Sequence, residues 1–484
     1  MFYFIPICLF IILTLFIIYQ KSIIFKGVYY PPKYMPIIGN TIEFMENIHR
    51  FHDWRLDHSK KAIALGQKCW QYSLFGRKFH AVELLDPDLL KYILKDNVNN
   101  FGKGGMFNEI FHDLLGNGIF NSDGDTWRMH RQLISPIFSV KRLTQHIESV
   151  LIKNGNIIIE ILNKIASSAN NKIDIQDLFF RYTFDCICEI AFGFEANTLK
   201  NKRSEFSNAF DRAQQIIYDR LYTLPIIWKS KRMLSIGSEK ELAKCISVLD
   251  NYILQIIENH KDNLSNRNDL LSVVMENSDC NTTYLKNMIL NIMLAGRDTT
   301  ACTLTWLFSV LSTNVNINNK LCDEISNMDN NINYDNIKKM KYLEATISET
   351  LRLYPAVPLD GKIAVQKCVL PNGLHIPAGT NIIYSPYIIN RLESLWGKDM
   401  DEFIPERWMK ETNITNISSY RFPTFNGGTR LCLGKSMALS EIKILTCMLL
   451  NKFRFTRTDD KKLDYNIGIL LSIKNGLTLH VHKR

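Results

Sequence analysis

Residues 425–434 read Phe-Asn-Gly-Gly-Thr-Arg-Leu-Cys-Leu-Gly, and few folds accommodate the pattern F-x-x-G-x-R-x-C-x-G. A cysteine that ligates iron must face the metal while its sulfur accepts backbone N–H bonds. Gly427 and Gly428 let the chain come that close. Phe425 can shield the sulfur from water, Gly434 can open a helix behind it, and Arg430 offers a guanidinium fork to a carboxylate. A lone cysteine is ordinarily an inert core residue. This spacing, with Ala438 four residues beyond Gly434, points instead to Cys432 as a metal-bound thiolate. The other cysteines bring no rival scheme. Eleven in 484 residues are too sparse for a disulfide scaffold and lack the paired CxxC spacing of structural zinc. A reducing compartment fits them.

The loop resembles that of the cytochrome P-450 superfamily, and the resemblance runs from the proline-rich segment at 29–40 to the last strand. It implies a mainly α fold with small β-sheets and heme b held between a long oxygen-binding helix and the cysteine loop. Cys432 would be the axial ligand, with Phe425, Arg430 and Gly434 around it. In Trp127 and Arg131 the chain carries the W-x-x-x-R that approaches a haem propionate in the family. These residues share a helical face at i, i+4. Lys362 stands where many relatives carry a propionate-binding arginine; it keeps the charge and loses the fork. Glu349 and Arg352 form an E-x-x-R. The segment Phe403-Ile404-Pro405-Glu406-Arg407-Trp408 supplies Arg407 as a third member. Three buried charges are tolerable only if mutually paired, so the trio reads as a structural lock.

Residues 295–300 read Ala-Gly-Arg-Asp-Thr-Thr inside an apolar helical stretch. An acid and a hydroxyl there need a reason. Small Ala295 and Gly296 leave room for dioxygen, Thr299 can position oxygen or water, and Asp298 can relay protons. The resemblance therefore implies a monooxygenase. A peroxide isomerase or dehydratase of the same fold tends to lose the acid–alcohol pair, and a non-catalytic haem protein would leave it unused. Some animal relatives esterify haem through a glutamate two turns before Gly296; here that position is Met288, so non-covalent haem is expected.

Arg181-Tyr182-Thr183-Phe184-Asp185 with Cys188 and Ala191-Phe192-Gly193, Ala-Gly-Arg-Asp-Thr-Thr and Lys474-Asn475-Gly476-Leu477 look most like the alkane and fatty-acid ω-hydroxylases of fungi and plants. Phe107, Leu114, Phe120, Met293, Leu294, Ala295, Ala356, Val357, Leu359 and Leu470 are the expected pocket. It is apolar and suits a long acyl chain, a sterol or a terpene.

The first nineteen residues carry no charged side chain, and Lys21 and Lys26 follow. That reads as a transmembrane anchor over 1–20 with the body in the cytosol. A cleaved signal peptide would need a basic start and a small-residue cleavage site. A basic, proline-rich hinge over 21–40 precedes a haem-binding catalytic domain over 41–484. The resemblance implies the endoplasmic reticulum membrane and electrons from NADPH through a cytochrome P-450 reductase. Arg128, Lys435 and Lys443, within a net charge of +10, are candidates for its docking face. Scattered basic residues without a binding motif speak against nucleic acid.

Periodicity predicts helices over 126–138, 147–166, 179–192, 284–311 and 341–353, and strands within 71–85, 363–376 and 470–482. The Asn-rich stretches 259–283 and 313–336 read as solvated connections. Asn263, Asn281, Asn413 and Asn416 sit in N-x-S/T triplets, which matter only in a lumenal chain.

Overall fold

The computed structural model describes residues 25–35, 38–74, 79–135, 146–201, 205–261, 269–277, 281–328, 332–410 and 417–484. The expected anchor, the far end of the helix expected to reach Phe138, and Asn263, Asn413 and Asn416 lie outside them. Among the described residues no helix is long and apolar enough to cross a membrane. The chain forms two compact units. One comprises Met1–Gly104, Pro358–Asp401 and Ser418–Leu431, the other Gly105–Val357, Glu402–Ile417 and Cys432–Arg484. Each is drawn from three separated stretches, so no linker marks the division.

The first unit is built on a five-stranded sheet. Cys69–Leu74 pairs antiparallel with Phe79–Leu84, which runs parallel to Asn381–Tyr384. That strand pairs antiparallel with Asp360–Ala364, and this with Phe101–Gly102. Every residue of Cys69–Leu74 is buried, the pattern of a strand covered on both faces. Val82, Leu84 and Ile382 pack with Leu90, Ile93 and Ile389 into one apolar core. The range 363–376, expected to hold short strands, holds the end of Asp360–Ala364 and a small hairpin, Cys368–Val369 with His375–Ile376, around a turn in which Gly373 takes φ +83°.

The second unit is helical around Thr282–Thr313, packed on Ile175–Phe192. A Cβ on Gly296 would come within 2.5 Å of Ile187. The missing side chain therefore lets the neighbouring helix pack close at this point. Thr183 adds a hydroxyl bond to the Arg297 carbonyl at 2.8 Å. Asn281 caps the long helix by accepting from Tyr284 N at 2.8 Å.

The Asn-rich stretch 313–336 contains a helix, Val315–Ser326, where a connection was expected. Asn314 caps it, accepting from Ile317 N, and Ile317, Leu321 and Ile325 are buried at i, i+4, i+8. Leu270–Asn277 is helical as well. At the C-terminus only Thr478–Lys483 is strand, between Lys172–Asp174 and Phe453–Arg457. The expected strand from Leu470 is interrupted by Asn475 and Gly476 at φ +66° and +80°. There Asp174 accepts from Leu477 N and from Gln176 N, each at 3.0 Å, tying the turn to the start of helix Ile175–Phe192.

Candidate active site

Cys432 stands three residues before the start of helix Lys435–Leu450, whose N-cap is Gly434. Burial pushes its thiol up. The backbone N–H groups of Gly434 and Lys435 and the charges of Arg131 and Lys435 oppose that shift. Among the described cysteines it alone is exposed, whereas Cys186, Cys188 and Cys302 are buried with thiols raised by desolvation. Two N–H donors at a helix N-terminus and a nearby guanidinium are the groups that stabilise a thiolate against that burial. This donor set fits a haem iron. Trp127 and Arg131 share a face of helix Gly124–Ile134, the guanidinium 5.6 Å from the indole centroid.

The long helix is buried from Met288 to Ser309 except at Ala295, Gly296 and Thr299. Ala295 and Thr299 are one turn apart, so the core helix opens along a single face. The Thr299 hydroxyl donates to the Ala295 carbonyl at 2.7 Å, which leaves its oxygen free to accept a further bond. Asp298 is directed elsewhere. It accepts from Gln214 at 2.9 Å and pairs with Arg297 at 3.1 Å, while Arg297 binds Asp211 at 2.6 Å. Desolvation, only partly offset by Arg297, raises the Asp298 carboxyl to about 6. Arg297, Asp298, Asp211 and Gln214 line a polar cavity of about 480 Å³ that Leu470 and Arg181 also border. The acid and the hydroxyl are thus neighbours in sequence with separate partners.

The lock assembles within the second unit. Arg352 grips Glu349 with two bonds of 2.7 and 2.8 Å, and both are fully buried. Arg407 stands 3.5 Å from the same carboxylate. Sequence reasoning missed the rest of the cage. Trp408 donates to Glu349 at 2.8 Å, Ile404 N at 2.9 Å, and Arg352 reaches the Glu402 carbonyl at 2.9 Å.

Of the expected pocket, Leu114, Met293, Leu294 and Ala356 are buried; Phe107, Ala295, Val357 and Leu470 are half-buried, and Phe120 is exposed. Asn291, unflagged in the sequence, holds Phe120 N at 3.1 Å and the Leu115 carbonyl at 2.9 Å against the long helix. Gly118 permits this approach, since a Cβ there would strike Asn291. His130 bonds the Asn117 carbonyl and stacks on Tyr284. Lys443 is no surface cation: it is buried and paired with Glu344 at 3.1 Å. Arg128 and Lys435 remain exposed.

The first unit carries Lys362, Leu359, Phe425 and Arg430. Lys362 is buried on strand Asp360–Ala364 beside Asp360. Asp360 accepts from Lys103 at 2.6 Å and from Tyr384 at 2.6 Å, and their charge and bonding hold its carboxyl well below the usual range. Leu359, Phe425 and Arg430 are half-buried. Gly428, at φ +61°, lies so close to the Leu94 carbonyl that no Cβ fits. Within this unit packing alone demands a glycine there.

A helical body, an exposed cysteine just before a helix, a buried Glu349–Arg352 pair with Arg407 beside it and a Thr-bearing core helix open along one face together define a haem-thiolate enzyme. A family profile described as Cytochrome P450 matches residues 30–480. Cytochrome P450 94A2 of Vicia sativa is 32% identical over 94% of this chain and 91% of its own. Cytochrome P450 704B1 of Arabidopsis thaliana is 33% identical over 94% and 95%, and Cytochrome P450 86B1 of the same plant 32% over 82% and 76%. The chain belongs to the cytochrome P450 family and is an oxidoreductase, a monooxygenase; that membership implies a haem thiolate.

Proposed function

We propose that Cys432 is the haem ligand and that the enzyme oxidises a long apolar chain, a fatty acid or alkane, near its far end. The observation that carries the ligand assignment is the placing of exposed residue Cys432 just before helix Lys435–Leu450, its sulfur against the backbone N–H groups of Gly434 and Lys435. Bound haem with a thiolate ligand supplies dioxygen cleavage, one oxygen atom entering substrate and the other leaving as water. Trp127 and Arg131 offer an indole N–H and a guanidinium to the cofactor's carboxylates. Met288 has no carboxylate to esterify, so haem is held without a covalent link. Thr299 presents its hydroxyl oxygen on the open face of the helix to a water or to oxygen. Asp298 takes protons from the polar cavity and passes them toward that face.

The apolar Ala295, Val357 and Leu470 favour a hydrocarbon chain. Electrons come from NADPH through a membrane-bound diflavin reductase that meets exposed Arg128 and Lys435. Residues 1–20 anchor the enzyme in the endoplasmic reticulum with its body in the cytosol. The test is a spectral binding screen of fatty acids, alkanes and sterols, followed by product analysis with NADPH and reductase. Hydroxylated fatty acid or alkane is expected; binding and turnover confined to sterols would overturn the substrate class.

A further inference from the structure

Trp306 lies seven residues beyond Thr299, so both stand on one stripe of the long helix, about 10.5 Å apart along its axis. Its indole is buried and makes two unrelated attachments. The ring stacks on Tyr354 with centroids 4.1 Å apart and planes 4° from parallel. The indole N–H donates to the Leu471 carbonyl at 2.6 Å. The Leu471 N–H in turn donates to the Ala356 carbonyl at 3.0 Å. One side chain thus ties the turn carrying Leu470 and the segment carrying Ala356 and Val357 to a fixed height below Thr299. Leu470 and Val357 are half-buried.

We propose that Trp306 is a specificity-positioning residue: by pinning these two apolar loops it sets how deep a hydrocarbon chain reaches relative to Thr299, and so which carbon is presented for oxidation. This rests on the reading of the substrate as an apolar chain. Both attachments are needed: the stack fixes the ring and the N–H holds the turn. Without it the buried Leu471 carbonyl has lost its donor, and the turn must shift or admit water to satisfy it. A shift of that turn moves the Leu470 side chain while leaving Cys432 and Thr299 in place.

The probe is a ladder of 1-alkylimidazoles. Their ring nitrogen ligates haem iron and shifts the Soret band whatever the natural substrate, while the alkyl tail measures the apolar space. Trp306→Phe keeps the stack and loses the N–H; Tyr354→Ala loses the stack and keeps the N–H. Both should bind unsubstituted imidazole as the wild type does and move the chain length of tightest binding by about two carbons. The longest members should weaken on the order of tenfold, the burial of about two methylenes. If Trp306→Phe fails to take up haem, Tyr354→Ala decides. A wild-type chain-length profile in the haem-loaded variants, or equal weakening at every length including imidazole, would overturn the assignment. A shifted profile in an enzyme that oxidises neither fatty acids nor alkanes would sink the substrate class and leave Trp306 in its role.

Discussion

Gln214 donates its side-chain amide to the Asp298 carboxylate at 2.9 Å, from helix Glu205–Asp219 to the long helix. The bond, with Arg297 and Asp211 alongside, holds the acid at the polar cavity. On the proton-relay role proposed for Asp298, delivering a proton to the open face requires the carboxyl to let go of Gln214.

A pH dependence follows. Desolvation lifts Asp298 from 3.8 to about 6 in the folded chain. Between those values the native state binds more protons than the unfolded one, so stability falls as pH rises through the window and is flat above it. The loss is on the order of 3 kcal/mol. Asp298→Asn should lack this slope. The measurement is melting temperature against pH for both proteins; parallel curves from pH 4 to 7 would mean that Asp298 titrates as an ordinary carboxylate.

Cys432→Ser should lose the red-shifted Soret band that reduced thiolate haem gives with carbon monoxide. Cys186→Ala, Cys188→Ala and Cys302→Ala should each retain it, since those sulfurs are buried. An unchanged band in Cys432→Ser would remove the ligand assignment.

How much of this was legible beforehand depends on how local the cause is. The i, i+3 spacing of Glu349 and Arg352 and the helix Lys341–Leu353 depend on neighbours in sequence, and both stand as read. Trp408 and Ile404 entered the Glu349 cage unannounced, because an indole or a backbone N–H does not declare its acceptor. The Trp306–Leu471 bond joins residues 165 apart, and nothing in either segment signals it. Helix Val315–Ser326 was obscured by its asparagines, although Ile317, Leu321 and Ile325 carried the correct period. Gly296 and Gly428 were singled out for their missing side chains, and the structure adds Ile187 and the Leu94 carbonyl as the neighbours a Cβ would meet. A glycine states that something comes near, not what.

Arg352→Leu removes both short bonds to a carboxylate that stays buried. Arg407 at 3.5 Å and two N–H donors remain, too few to replace a bidentate guanidinium. The expected cost is about 3–5 kcal/mol, read as a lower denaturation midpoint and poor haem uptake. Trp408→Phe, which deletes one donor, should cost about 1–3 kcal/mol. Normal midpoints in both would show the cage to be dispensable.

Thr299 offers the sharpest separation of structure from chemistry. Its hydroxyl hydrogen is committed to the Ala295 carbonyl, a back-bond that by itself only bends helices. If that were its whole purpose, Thr299→Val, which keeps the shape, would leave catalysis intact and at most straighten the helix. The open face argues otherwise, because the same oxygen can still accept a bond from a water or an incoming proton donor. Thr299→Val should therefore bind haem and substrate as before, consume NADPH, and release most of the reducing equivalents as hydrogen peroxide or water. Thr299→Ser, which retains the hydroxyl, should recover most of the coupling. The measurement is the ratio of hydroxylated product to NADPH consumed, with peroxide assayed in parallel. Equal ratios in wild type, Thr299→Ser and Thr299→Val would assign the residue to helix geometry alone.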